Sequence, residues 1–177
     1  MHSSIFALLF AALMPDLSIT RRAVRSDDAS FLLRLFRSFR IDIDHAIDLS
    51  EAEKRTFIQQ QFEAQRRSYR HRYPNANPKV ILADGKRAGR IWVAYLEDQI
   101  RLVDIMMLPA FQNQGIGTHL IEQLKEEARA SGRPLRHMVH TTNQDALRFY
   151  RRLGFTRCPS PAPTHHAMVW RPEAPSA

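Results

Sequence analysis

The stretch Gln112-Asn113-Gln114-Gly115-Ile116-Gly117-Thr118 decides how the rest of the chain is read. Before it runs Leu102-Val103-Asp104-Ile105-Met106-Met107-Leu108, short, apolar and closed by Pro109, which is the pattern of a buried strand. After it, Ile116, Leu120, Ile121, Leu124 and Ala128 recur on one face of a helix. Glycines at 115 and 117 remove the side chains that would keep a ligand off the backbone. The first-turn amides of the helix then point outward at its positive dipole end, making a cradle for a pyrophosphate. A dinucleotide fingerprint needs G-x-G-x-x-G, and a P-loop needs a Lys-Ser/Thr pair after its second glycine; neither is present.

Downstream stands Asn143-Gln144-Asp145-Ala146-Leu147-Arg148-Phe149-Tyr150-Arg151-Arg152-Leu153-Gly154-Phe155. The two segments read Q-x-x-G-x-G and N-x-x-A-x-x-F-Y-x-x-x-G-F. Together they resemble the signature of the GNAT superfamily of N-acetyltransferases, sharply from about Asp104 to Phe155 and only topologically outside that span. The resemblance implies an α+β fold with a mixed, mostly antiparallel central sheet, flanked by helices and splayed at an acetyl-CoA site. It implies that the glycine loop (Gln112, Asn113, Gln114, Gly115, Ile116, Gly117 and Thr118) holds the diphosphate of acetyl-CoA. It also implies that the main chain of Met107 and Leu108 bonds the pantetheine arm, and that Tyr150 sits beside the sulfur. Family members often carry arginine where Gln112 and Asn113 stand, so this loop contacts phosphate with fewer positive charges. The implied activity is acetyl transfer from acetyl-CoA to a primary amine, on a small molecule or a peptide, by direct attack in a ternary complex without a metal. The alternatives are a non-catalytic acyl-CoA-binding regulatory domain and a basic nucleic-acid-binding module.

Composition bounds these choices. The chain has 177 residues, enough for one domain with a full core, and its 44% apolar and 25% charged content is that of an ordinary globular protein. The net charge of +8 is scattered along the chain, with no RNA-binding signature or zinc-finger spacing, so no nucleic-acid partner is expected. A highly phosphorylated ligand such as CoA also favours positive potential. One cysteine excludes an internal disulfide framework and fits a reducing, cytoplasmic setting. The run Ile5-Phe6-Ala7-Leu8-Leu9-Phe10-Ala11-Ala12-Leu13 is too short to span a bilayer and lacks a basic n-region before it. Residues 1–16 are therefore expected to lie outside the fold, 17–172 to form a single acetyltransferase domain, and 173–177 to be a tail. No membrane is expected, and the protein is expected to be a monomer or homodimer.

Periodicity orders the elements as β-α-α-β-β-β-α-β-α-β-β. A strand at 17–24 precedes a helix from Asp27-Asp28 with Phe31, Leu32, Leu35, Phe36 and Phe39 at helical spacing. Ser50-Glu51-Ala52-Glu53 is a capping box opening a second helix that stops at Pro74. Strands at 79–83 and 91–96 flank the turn Asp84-Gly85-Lys86, with Gly89 at the start of the second. Asp98 and Gln99 turn into the strand at 100–108; a helix at 116–130 and a strand at 135–141 follow. Asn143 caps a helix to Leu153 with Gly154 as its stop, and strands at 155–158 and 167–170 close the chain across a Pro-rich loop.

Several side chains carry the chemistry. Tyr150 lies seven residues after Asn143, about two helical turns, and so shares its face. Its phenol is a proton donor for a departing thiolate; packing beside Phe149 and Phe155 is the other use of such a ring. Asn143 suits either a helix cap or a bond to the pantetheine arm. Asp104, the carboxylate within the central strand, is either a general base with a burial-raised pKa or a structural group paired to Arg or backbone. Period two places it with Met106 and Leu108. His137 and His140, three apart on one strand, face opposite sides; either suits a proton relay but not a shared metal. His165-His166 falls in the Pro-rich loop, expected solvated or at the border of the acceptor site, and Cys158 is expected to be a buried small hydrophobe. Asp42, Asp44, Asp48, Glu51 and Glu53 form an acidic cluster that suits either an amine-attracting cleft or a solvated helix start.

Overall fold

Seven strands form one sheet in the order β1-β2-β3-β4-β5-β7-β6, seen in a computed structural model that describes residues 17–40 and 48–173. The strands are β1 (Ile19–Ala23), β2 (Pro78–Ala83), β3 (Lys86–Tyr95), β4 (Ile100–Met107), β5 (Leu135–His140), β6 (Thr156–Cys158) and β7 (His165–Trp170). The helices are α1 (Ala29–Arg37), α2 (Glu51–Arg72), α3 (Ile116–Ser131) and α4 (Gln144–Arg152). Every neighbouring pair is antiparallel except β4–β5, which is parallel. This is the expected α+β architecture and element order. The N-terminal extension and the acidic residues Asp42 and Asp44 lie outside the described residues.

Local chemistry sets the boundaries. Ser50 caps α2 with a full capping box: its hydroxyl accepts from the Glu53 amide, and the Glu53 carboxylate accepts from the Ser50 amide at 2.8 Å. Gly132 and Gly154 close α3 and α4 in the left-handed conformation, at φ of 64° and 82°. The strand expected to begin at Ile91 begins at Lys86, because Gly89 lies inside β3 and not at its start. A Cβ at Gly89 would sit 2.2 Å from the Met106 carbonyl oxygen, so only glycine lets β3 approach β4 this closely.

Two cores cover the two faces. Ile100, Leu102, Leu120, Ile121, Leu124, Leu135 and Val139 pack under α3 and α4. Phe31, Leu35, Phe36, Ile58 and Phe62 pack with Val80 and Met106 under α1 and α2. A β-bulge in β4 reconciles the faces: Trp92 pairs with Asp104 but Val93 with Leu102, so Val103 is the extra residue. The bulge keeps Leu102 and Ile105 on the α3–α4 side while turning Val103, Asp104 and Met106 to the other.

Candidate active site

The glycine loop starts where β4 ends. Pro109–Phe111 makes one 3-10 turn, and the Gln112 side chain donates through Nε2 back to the Met107 carbonyl at 2.9 Å. Gln114 donates to the Ala110 carbonyl at 2.8 Å, and Asn113 and Gly115 both take positive φ, at 59° and 79°. The first helical bond of α3 runs from the His119 amide to the Gly115 carbonyl, so the amides of Ile116, Gly117 and Thr118 have no acceptor within the helix. No side chain caps them. An uncapped helix start on a glycine leaves amides and a positive dipole end of the kind that suits an anion.

β4 and β5 pair only from Ile100–Leu135 to Leu102–His137 and then part. A cavity of about 440 Å³ fills the opening. Ile105, Met107, Val139, Phe149 and Tyr150 line it from the α3–α4 side; Val103, Asp104, Met106 and Tyr69 line it from the other. The slot therefore passes through the sheet and opens to both faces. Gln112, Gly117 and Asn143 border it as well. Leu108 does not: its amide donates to Ala88 and its carbonyl accepts from Phe111, both at 2.9 Å.

Tyr150 is 2% exposed, packed against Phe149, Phe155 and His137 at ring separations of 5.2, 5.3 and 4.8 Å. Core packing and a place on the slot are thus combined in one ring. Burial first, and the Asp104 charge second, push its phenol above the usual range, so it stays protonated across neutral pH. His137 is 9% exposed, and its Nδ1–H donates to the Leu102 carbonyl at 2.8 Å. Burial lowers its pKa to about 4, which keeps the imidazole neutral. Asn143 caps α4, its side-chain oxygen accepting from the Ala146 amide at 3.0 Å.

Asp104 is ion-paired. Its Oδ2 accepts from Arg90 Nη2 at 2.5 Å and Nε at 3.2 Å, and Arg90, 2% exposed, also donates to Gln65 at 2.9 Å. Asp104 Oδ1 takes no hydrogen bond among the described residues. Arg90, Gln65 and Tyr69 were not expected at the site; the available signal was an arginine embedded in the apolar run of β3, which implies a buried partner. His165 and His166 correct the loop reading: they open β7, half-buried, because His165 pairs with His140 across the ladder. Those two rings meet edge-on at 5.1 Å on the slot's border, and burial with the neighbouring His140 holds the His165 pKa down. Cys158 is half-buried on β6, away from the slot, and so is less enclosed than expected. Of the acidic cluster, Glu53 belongs to the α2 cap and Glu51 pairs with Arg37 and Lys54, which is the helix-start reading. Among the described residues no cluster is placed to hold a metal, and no helix is long and apolar enough to cross a membrane.

Residues 44–155 match the model of the acetyltransferase (GNAT) family. The chain belongs to that family. The span includes β2 to β5, the glycine loop and the whole Asn143–Phe155 segment. A curated relative, an uncharacterised N-acetyltransferase of Methanocaldococcus jannaschii, is 36% identical over 84 residues, which is 43% of this chain and 37% of that protein. The chain thus matches little more than a third of that relative's length. Among solved structures, the PaiA N-acetyltransferase of Thermoplasma acidophilum in complex with coenzyme A superposes with a TM-score of 0.64 at 18% identity, covering 87% of this chain and 99% of that one. The ribosomal-protein-S18-alanine N-acetyltransferase of Escherichia coli gives 0.53 at 20% identity, covering 86% and 91%. At such identities the likeness is one of fold. For this GNAT chain, the opening between β4 and β5 and the loop before α3 are where fold and motif coincide.

Proposed function

We propose that this chain moves an acetyl group from acetyl-CoA to a primary amine by direct attack inside the slot, with Tyr150 as general acid. The observation that carries the reading is the through-sheet slot. The uncapped α3 start and Tyr150 stand on one face; Asp104 and Tyr69 stand on the other. Such an opening lets two substrates meet from opposite sides, with their reacting atoms pre-positioned. The diphosphate lies on the amides of Ile116, Gly117 and Thr118, beside Asn113, Gln114 and Gly115, and the arm enters along Met107. The fold neighbour crystallised with coenzyme A supports this choice of donor. Gln112 braces the loop on Met107 and presents no positive charge to the phosphates.

In the transfer a new N–C bond forms and the C–S bond breaks. The amine gives one proton to solvent, and the Tyr150 phenol gives one to the leaving sulfur and is later reprotonated from solvent. Burial weakens the phenol as an acid, but a thiolate seated against the same buried ring is also less solvated and takes up a proton more readily, so the transfer stays matched. Asp104 enters as an ion-paired carboxylate, so its role is to hold the amine through Oδ1 while Arg90 occupies Oδ2. The acceptor is a primary amine on a small molecule or a peptide.

Replacing Tyr150 with Phe tests the reading. With labelled acetyl-CoA and the best acceptor from an amine panel, kcat should fall about 10²–10⁴-fold, the usual contribution of a general acid. CoA affinity should hold, because the phosphate contacts lie elsewhere. A folded Phe variant with parental kcat on that acceptor would remove Tyr150 from the chemistry. A parent that binds CoA but acetylates no amine would favour a regulatory acyl-CoA-binding domain.

A further inference from the structure

The slot needs a device that parts β4 from β5 without abandoning a buried carbonyl, and one side chain stands where the strands separate. His137 is the last β5 residue in the β4–β5 register, opposite Leu102. Its ring nitrogen lies 2.8 Å from the Leu102 carbonyl, and a carbonyl only accepts, so Nδ1 carries the proton. A side chain thus closes the ladder at its final rung. The β4 bulge at Val103 begins one residue later. Neutrality of the ring follows from burial, so Nε2 is left as a bare lone pair. Nε2 has no partner among the described residues, although His137 is 9% exposed and borders the slot against Tyr150. Nε2 is not sealed from solvent, and His137 borders the slot, so this acceptor is open to a donor that arrives with a ligand.

We propose that His137 is a two-ended positioning residue: Nδ1–H pins β4 where the sheet opens, and Nε2 receives an amide N–H of the pantetheine arm. This rests on the acyl-transfer reading of the slot. The arm is peptide-like and carries amide N–H groups, which is the chemistry a fixed imidazole acceptor recognises. Orientation follows from the same geometry, since Nε2 is locked by the bond at the other end of the ring and cannot flip without losing it. The groups facing His137 are Asp104 and Arg101 from β4, His165 from β7 and Tyr150 from α4. None of them forms a hydrogen bond with Nε2.

Calorimetry on three proteins, with two probes, tests the proposal. The probes are CoA and adenosine 3′,5′-bisphosphate, which lacks the arm. His137→Phe keeps a ring beside Tyr150 but removes both nitrogens; His137→Asn keeps a donor near the Nδ1 position and loses Nε2. With each neutral bond contributing a factor of roughly 2–13, the Phe variant should bind CoA about tenfold or more weakly and the Asn variant a few-fold more weakly. Both should bind the bisphosphate as the parent does. Histidine ring ¹⁵N spectra of the parent should show a bare Nε2 that becomes hydrogen-bonded when CoA is added and not when the bisphosphate is. Parental CoA affinity in the Phe variant, or an unchanged Nε2 signal on CoA addition, overturns the assignment. So does equal loss of both probes, which would mean that the substitution deforms the loop. If the parent binds neither probe, it is the reading of the slot that fails.

Discussion

The two faces of the sheet are held by different forces. Under α3 and α4 the core is aliphatic and aromatic, with Leu120, Ile121 and Leu124 of α3 fully buried in it, and its buried polar groups are His137 at the slot and Lys125 over the Trp170 ring. Under α1 and α2 the sheet encloses charge. Arg90 is locked on Asp104, and Asp28, 0% exposed, accepts two bonds from Arg22 at 2.6 and 2.8 Å, one from the Arg25 amide at 2.8 Å and one from Arg87 at 3.3 Å. The first face is held mainly by apolar packing; the second is set by ion pairs whose geometry fixes one arrangement. This division suits a constant cofactor on one side and a chosen acceptor on the other.

Truncating the apolar face should have the largest effect. Leu120→Ala removes a fully buried side chain of the α3–α4 core and should cost about 2–5 kcal/mol in denaturant unfolding, at any pH between 5 and 8. On the charged face, Asp28→Ala should cost about 3 kcal/mol, at the low end for a broken buried pair because Arg22 and Arg87 stay partly solvated. That loss should depend on pH. The three arginine contacts hold the Asp28 carboxyl far below its ordinary value, so its contribution is complete above about pH 4 and fades only in stronger acid. Parent and variant should therefore converge at low pH, whereas the Leu120→Ala gap should not close. Convergence of both gaps, or of neither, would erase the distinction between the faces.

A smaller effect sits at the slot, where the faces meet. His137 has its folded pKa lowered to about 4 by burial, against about 6.5 in an unfolded chain. Below the unfolded value the unfolded state takes up a proton that the folded state refuses, so stability falls as pH drops. Between pH 7 and 5 this should remove about 2 kcal/mol, and His137→Phe should flatten that part of the profile. An unchanged slope in the Phe variant would show that His137 is not the group responsible.

The difference between the faces also explains what could be read from the chain. The glycine loop, Asn143 and Tyr150 lie on contiguous stretches whose spacing is the signal, so the α3–α4 side was legible almost residue by residue. The ion pairs were not. Asp28 meets Arg22 six residues before it but also Arg87 from β3; Gln65, Arg90 and Asp104 come from three separate elements, and a linear pattern carries no trace of which carboxylate meets which guanidinium. For Asp104 both uses of a strand carboxylate were open, and only the geometry showed that Arg90 takes one oxygen. Helical and strand periods located β4 but not its bulge, since one extra residue leaves no mark in an apolar run. His165 was misplaced because the Pro-rich composition before it hid a strand whose pairing is long-range.

The central claim is that the open start of α3 holds the diphosphate, and titration of CoA into Gly117→Glu and Gly117→Ala tests it most directly. The site is suitable because a Cβ at 117 meets only the Phe149 ring, at 3.4 Å, a contact that a small ring shift relieves. The alanine variant should bind CoA with at most a modest loss, and the glutamate variant, placing an anion on the same amides, should bind it at least 100-fold more weakly, about 2.7 kcal/mol, with an unchanged melting curve. A folded Gly117→Glu protein that binds CoA as the parent does would contradict the account.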